Sequence, residues 1–270
     1  MIPRHQLLRL RASAAPQIAR RAFGTTSTRQ DKSATTTNTA PNSRWLSDMR
    51  SRLATGISKR ADDTKVVAQL KRLMSYLDQH WLNLSAGREG YLVEPQWRGL
   101  DKHEIAWGEM DSMGMCHVNN IIYNRYAESG RVGWMMNVAA QVAPENQQEF
   151  REIMSPRGVG LILASIRTDY KFPMTFPDQV TVLHKLVEKP DSTSERVLME
   201  AVAYSHKHKR PAARFFEDIA VYDYRAAKRA PLKPFMVEEM QAMYERQEQQ
   251  QQQTEQKVQE LVRSMDELKV

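Results

Sequence analysis

"MDSMGMCHVNNIIYNRYAESGR", residues 110–131, decides how the chain is read. Asp111, Cys116, His117, Asn119 and Asn120 crowd into the first eleven positions, just ahead of a helix-like run. That run, "VNNIIYNRYAESGRVGWMMNVAAQ" (118–141), has no proline, and Asn119 or Asn120 stands where a side-chain oxygen caps the first turn. It predicts a long helix. Ala127, Gly130 and Gly133 recur every three residues near one side of it. A glycine inside a helix costs about 1 kcal/mol relative to alanine, so keeping two points to close packing, with a sheet wrapped around this helix.

Downstream the hydrophobic period changes. "GVGLILASIRTDYKF" (158–172), "DQVTVLHKLVEK" (178–189), "SERVLMEAVAYS" (194–205) and "AARFFEDIAVYDY" (212–224) are rich in β-forming residues and separated by turn-like "FPMTFPD", "KPDSTS" and "HKHKRP". Such short spacers favour antiparallel neighbours, because parallel crossovers need about a dozen residues or more. Upstream, "HEIAWG" (103–108) reads as a short strand. The order strand, long helix, four strands is an α+β layout.

Outside this segment the chain carries extensions. "DDTKVVAQLKRLMSYLDQHWLNL" (62–84) places Val66, Leu70, Leu73, Met74, Leu77 and Trp81 at helical spacing, which predicts a helix lying on the main domain. Residues 61–98 are therefore taken as a helical extension and 99–234 as the domain itself. Residues 235–270 are helix-prone, with Val258, Leu261, Val262, Met265 and Leu268 as an apolar stripe beyond a glutamine run. That tail suits a partner helix, self-association or a loose end alike. Residues 31–60 are rich in Thr, Ser, Asn and basic side chains and read as a flexible linker.

Composition narrows the classes. The net charge of +7 invites a nucleic-acid reading, but six of the 39 basic residues (Arg4, Arg9, Arg11, Arg20, Arg21, Arg29) lie in residues 1–30, which hold no acid. The remaining 33 basic residues meet 32 acidic ones, so direct nucleic-acid contact is not expected. The Arg-rich, acid-free N-terminus has the character of a mitochondrial presequence, which predicts a mitochondrial, matrix location. No stretch reaches the roughly 18 consecutive apolar residues of a membrane span. Cys116, the single cysteine, excludes an internal disulfide and a multi-thiolate metal site. His206 and His208 alternate, but nothing completes a coordination shell, so neither a metal nor a redox cofactor is expected. There is no Gly-rich phosphate loop and no G-x-S-x-G elbow.

"EMDSMGMCHVNNIIYNRYAESGR" (109–131) resembles the motif of hotdog-fold acyl-CoA thioesterases related to hydroxybenzoyl-CoA thioesterase, in which an Asp, a Gly, His-Val-Asn-Asn and a Tyr introduce the central helix. "TDYKFPMTFPDQVTV" and "IAVYDYRAAKRAPLKP" resemble the second and third strands and the closing strand of the same family. The resemblance spans about residues 99–234 and departs at one place: Asp111 and His117 stand further apart than in common members, with Met115 and Cys116 as extra residues. It implies a hotdog fold, an antiparallel sheet around a long central helix, with acyl-CoA as substrate and a homodimer or higher oligomer.

Thioester hydrolysis needs a nucleophile beside the carbonyl carbon and donors aimed at the developing oxyanion. A loop entering a helix supplies both, since the first helical N–H groups lack intrahelical partners and sit at the positive end of the dipole. The resemblance makes Asp111 the acid, as general base or as nucleophile, against the plainer reading of an Asx turn. His117 either meets the thioester or orients Asp111. Gly114, Val118, Asn119, Asn120, Tyr123 and Glu128 are the substrate-binding candidates; Asn120 also reads as a cap, and Tyr123 as packing on the sheet. Glu128 and Arg131 are spaced for an ion pair on one helical face. Lys207, Lys209 and Arg210 in "SHKHKRPAAR" are candidates for CoA phosphates, though such runs are usually solvated turns. Two rivals remain: a non-catalytic hotdog subunit docked in a mitochondrial assembly such as the ribosome, and a dehydratase acting on hydroxyacyl thioesters.

Overall fold

The computed structural model describes residues 44–111 and 116–269. The predicted presequence (1–30), residues 31–43 of the linker and the candidate Gly114 lie outside the described residues. The described chain runs α1 (Trp45–Lys59), α2 (Thr64–Gly87), β1 (Arg98–Glu104), α3 (Asn120–Asn137), α4 (Gln147–Ile153), β2 (Val159–Tyr170), β3 (Gln179–Leu186), β4 (Arg196–Ser205), β5 (Arg210–Asp223), the two-residue β6 (Lys228–Arg229) and α5 (Pro234–Glu267).

The strands form one sheet in the order β1-β3-β4-β5-β2, antiparallel throughout, with β6 paired to β5. β3 and β4 align Val180 with Ser205 through Leu186 with Met199 in an unbroken register. Alternation then sends Val180, Val182, His184, Ala201, Ala203 and Phe215 to the face that receives Tyr123, Tyr126 and Ala127 of α3. This is the hotdog arrangement expected from the sequence. The two glycines act as foreseen: a Cβ on Gly130 would lie 2.9 Å from Val182, and one on Gly133 would collide with the Gly99 carbonyl of β1.

The opposite face of the sheet is covered too. Leu183, Val202 and Tyr204 pack against Leu53 of α1, Leu70, Leu77 and Trp81 of α2, and Val258, Leu261 and Met265 of α5. The first half of α5 instead joins the α3 side, through Met236, Met240 and Met243 beside Trp134 and Met135. Where α5 passes the end of β3, Gln247 accepts from the Leu186 N–H at 2.9 Å and donates to the Leu186 carbonyl at 3.0 Å. One side-chain amide thus completes the backbone pairing of that residue.

Two readings need correction. Residues 45–59, taken as flexible linker, form α1, because Leu46, Met49, Leu53 and Gly56 repeat at helical spacing and are buried. The strand expected at 103–108 begins earlier, at Arg98, and ends at Glu104, followed by a 3-10 turn at Trp107–Glu109. The helix expected over 235–270 runs unbroken through the glutamine run, and its apolar stripe docks on its own chain.

Candidate active site

The loop before α3 is closed by a narrow neck. Met110 and Val118 form an isolated antiparallel bridge, the Asp111 N–H donates to the His117 carbonyl at 2.7 Å, and the Asn119 N–H donates to the Glu109 carbonyl at 2.9 Å. The neck is held from both sides. Val118, fully buried, donates its N–H to the Met174 carbonyl at 2.8 Å. The Glu109 carboxylate accepts from the Ala106 N–H at 2.8 Å and from the Tyr126 hydroxyl at 2.7 Å, with His103 Nε2 3.5 Å away. Burial and this carboxylate hold the Tyr126 hydroxyl well above its ordinary pKa, so it remains a donor.

Asp111 and His117 are therefore neighbours across the neck, both partly buried. His117 Nδ1 lies 3.0 Å from its neighbour's carbonyl, at Val118. A carbonyl only accepts, so in the neutral ring Nδ1 carries the proton and Nε2 is left as an acceptor.

The start of α3 is more occupied than the sequence implies. Asn119 is the N-cap, its side chain accepting from the Ile121 N–H at 3.0 Å, while the Ile122 N–H donates to the Asn119 carbonyl at 2.9 Å. With the Val118 and Asn119 amides also bonded, the Asn120 N–H is the amide from 118 to 122 that no acceptor among the described residues engages. The expected row of open donors reduces to one at this point.

The other candidates separate. Asn120 is exposed, and its carbonyl accepts from the Tyr170 hydroxyl at 3.1 Å. Tyr123 is 2% exposed, and its hydroxyl accepts from the Met174 N–H at 2.9 Å, which makes it a post between α3 and the segment after β2. Glu128 is exposed two turns further along α3, and the expected pair with Arg131 does not form. Arg131 turns inward to Glu217 of β5 at 2.5 Å, because the buried carboxylate has the greater need of a partner. Lys207 is exposed, Lys209 pairs with Asp78 at 2.9 Å, and the Arg210 guanidinium stacks 4.0 Å over the Phe172 ring.

Sequence reading missed the cluster under α3. Glu217 and His184 are buried, with Glu217 Oε2 3.8 Å from His184 Nε2, and neither that oxygen nor either ring nitrogen has a well-aligned hydrogen bond. Burial pushes Glu217 up to about 7 in spite of Arg131, and burial with Arg131 nearby drives His184 down to about 3. Beside them an apolar cavity of about 290 Å3 opens between Met135 of α3, Leu161 and Leu163 of β2, Met199 of β4 and Ile219 of β5, with Arg131 at its wall. Arg131 and Glu217 lie 86 positions apart, so no local pattern announces their pairing.

Solved thioesterase structures resemble the chain at low identity. A Thermus thermophilus thioesterase solved with coenzyme A and Zn is 18% identical, the match covering 55% of this chain and 96% of that one with a TM-score of 0.40. A Staphylococcus aureus DHNA-CoA thioesterase is 16% identical, over 61% and 93% of the two chains, with a TM-score of 0.39. A Synechocystis 1,4-dihydroxy-2-naphthoyl-CoA thioesterase is 14% identical, over 52% and 94%, with a TM-score of 0.41. No curated protein matches the sequence. The family match covers residues 105–240, from the end of β1 into α5, and takes in the neck, α3 and β2 to β6. The chain belongs to the thioesterase-like superfamily.

Proposed function

We propose that the protein hydrolyses acyl-CoA thioesters to free acid and CoA in the mitochondrial matrix, with the Asp111 carboxylate as general base. The observation that carries this reading is the neck, where Asp111 and His117 are tied together at 2.7 Å directly before the central helix. Asp111 takes a proton from water, and the hydroxide adds to the thioester carbonyl. The oxyanion formed is met by the Asn120 N–H at the positive end of α3. Collapse breaks the C–S bond, and the leaving thiolate recovers the proton from Asp111. His117 Nε2, an acceptor in the neutral ring, orients the water. The alternative course, attack by Asp111 itself to give an anhydride that water then opens, uses the same geometry.

A homodimer fits the exposed surface. β2 is an edge strand of 12 residues that exposes 37% of Leu163 and 45% of Tyr170, and Ile121, next to the Asn120 whose carbonyl the Tyr170 hydroxyl meets, exposes 69%. An open strand edge with large apolar side chains calls for a partner. The matrix assignment rests on the acid-free, Arg-rich residues 1–30.

A second reading is favoured by the occupied first turn of α3: a docked, non-catalytic subunit of a mitochondrial assembly, whose α1, α2 and much of α5 lie outside the family match. Thiol release from short, medium, long and aromatic acyl-CoAs by the full-length chain separates the two. Turnover of at least one class supports the enzyme; no turnover, with the native protein sedimenting in a ribosome-sized complex, supports docking.

A further inference from the structure

We propose that the cavity between the start of α1 and the β4–β5 turn binds clustered phosphates, namely those of the CoA moiety. This rests on the thioesterase reading and assigns α1, which lies outside the family match, a part in substrate recognition. The cavity is about 590 Å3, and Arg44, Lys171, Lys209, Arg210 and Arg214 all line it. Lys209 is matched by Asp78 at 2.9 Å, and Arg214 by Glu89 and Glu200 at 2.5 and 2.8 Å. Lys171 has a 3.8 Å approach to Asp169, which Arg167 shares, and Arg210 lies over the Phe172 ring. Among the described residues that line the cavity, positive charge exceeds negative charge. Leu46 and Ser47 bring the beginning of α1 to it, and the positive end of that helix's dipole adds to the same field.

The turn that carries Lys209 and Arg210 is built rather than loose. Asp178, nearly buried, accepts from the Ser205 hydroxyl at 2.5 Å and the Lys207 N–H at 2.9 Å, and Ser205 Oγ accepts from the His208 N–H at 3.0 Å. These bonds hold Lys209 at φ +51°, in the left-handed region, and set Arg210 and His208 against the Phe172 ring. Side chains ordered before a ligand arrives lose less entropy on binding it.

The cavity also adjoins the neck. Lys171 and Phe172 line it, while Met174, three residues on and at most about 11 Å from Lys171 along the chain, accepts the Val118 N–H. The Phe172 carbonyl accepts from the Tyr123 hydroxyl at 3.5 Å. A ligand with phosphates in the cavity and a flexible arm directed at α3 presents its thioester to Asp111.

The test measures affinity of the full-length chain for CoA, 3′-dephospho-CoA, pantetheine and inorganic pyrophosphate, and KM for matched acyl-CoA and acyl-pantetheine thioesters, in the parent and in Lys171→Glu/Arg210→Glu. Expected are an affinity order CoA, dephospho-CoA, pantetheine, measurable pyrophosphate binding, and a fall of roughly tenfold or more in the variant's preference for CoA over pantetheine. Lys171→Arg/Arg210→Lys, which keeps the charge, restores most of that preference and guards against misfolding. Equal affinity for CoA and pantetheine, or an unchanged preference in the charge-reversed variant, overturns the site while leaving the thioesterase reading standing. Phosphate-dependent CoA binding without hydrolysis of any thioester leaves the site standing and sinks the thioesterase reading. Binding of pyrophosphate but not CoA overturns the assignment to CoA.

Discussion

The Asp111 N–H donates to the His117 carbonyl at 2.7 Å, so a backbone contact brings the two residues proposed for catalysis side by side. Their added sequence separation is therefore no obstacle to their being neighbours. The chemistry depends on how rigidly the neck and the first turn of α3 are held, and on what lies under the helix.

The cap is the first point of test. Asn119→Ala removes the acceptor of the Ile121 N–H and is expected to lower stability by about 1 kcal/mol, whereas Asn119→Gly lowers it by only a few tenths. Urea unfolding of the three proteins gives the comparison, and equal midpoints for the alanine and parent proteins would remove the cap from the account.

The contact between α3 and β1 leaves no room for a methyl group. A Cβ at position 133 meets the Gly99 backbone, which no side-chain movement relieves. Gly133→Ala is expected to destabilise by on the order of 3 kcal/mol or more, against a small effect for Gly108→Ala, whose Cβ would meet nothing. Thermal melts of the two variants decide it.

Among the glutamines of α5, one is expected to stand apart. Gln247→Ala strands the Leu186 N–H and carbonyl, which predicts a loss of roughly 2–4 kcal/mol, while Gln249→Ala, at an exposed position, is expected to change stability by less than about 0.5 kcal/mol. Similar effects at the two positions would show that the β3 contact contributes little.

The buried pair gives opposing pH dependences. Glu217 is raised from 4.5 to about 7, so the folded state holds a proton that the unfolded state has released, and stability is lost as pH rises through that window. His184 is lowered from 6.5 to about 3, so its contribution is lost as pH falls from 6.5 toward 3. Between 4.5 and 6.5 the two slopes largely cancel. Glu217→Gln removes one of them: its Tm relative to the parent is expected to improve steadily from pH 4.5 to 8, by on the order of 3 kcal/mol in stability. A difference that stays constant with pH would mean that Glu217 is ionised throughout.

What could be read in the sequence was local. The cap and glycines of α3, the alternation of β3 and β4, and the stripe of α2 are each written within one element. α1 is not legible in the same way, because its stripe of Leu46, Met49 and Leu53 is set among Ser, Arg and Asp, and a helix of 15 residues is marginal until it docks. β1, "RGLDKHE", hides its strand character behind the charged residues that suit a sheet edge. In the site, the closeness of Asp111 and His117 follows the motif, but the inward turn of Arg131 and the meeting of Lys171, Lys209 and Arg210 at one cavity depend on distant pairings. Within the glutamine run nothing local distinguishes position 247, whose partner at the end of β3 lies 61 positions away.

The central claim is tested most directly by CoA release from the acyl-CoA that the full-length chain turns over fastest, with Asp111→Asn measured beside it. The account predicts a fall in kcat of at least about 100-fold for the variant with an unchanged melting temperature. A variant that matches the parent's rate would contradict it.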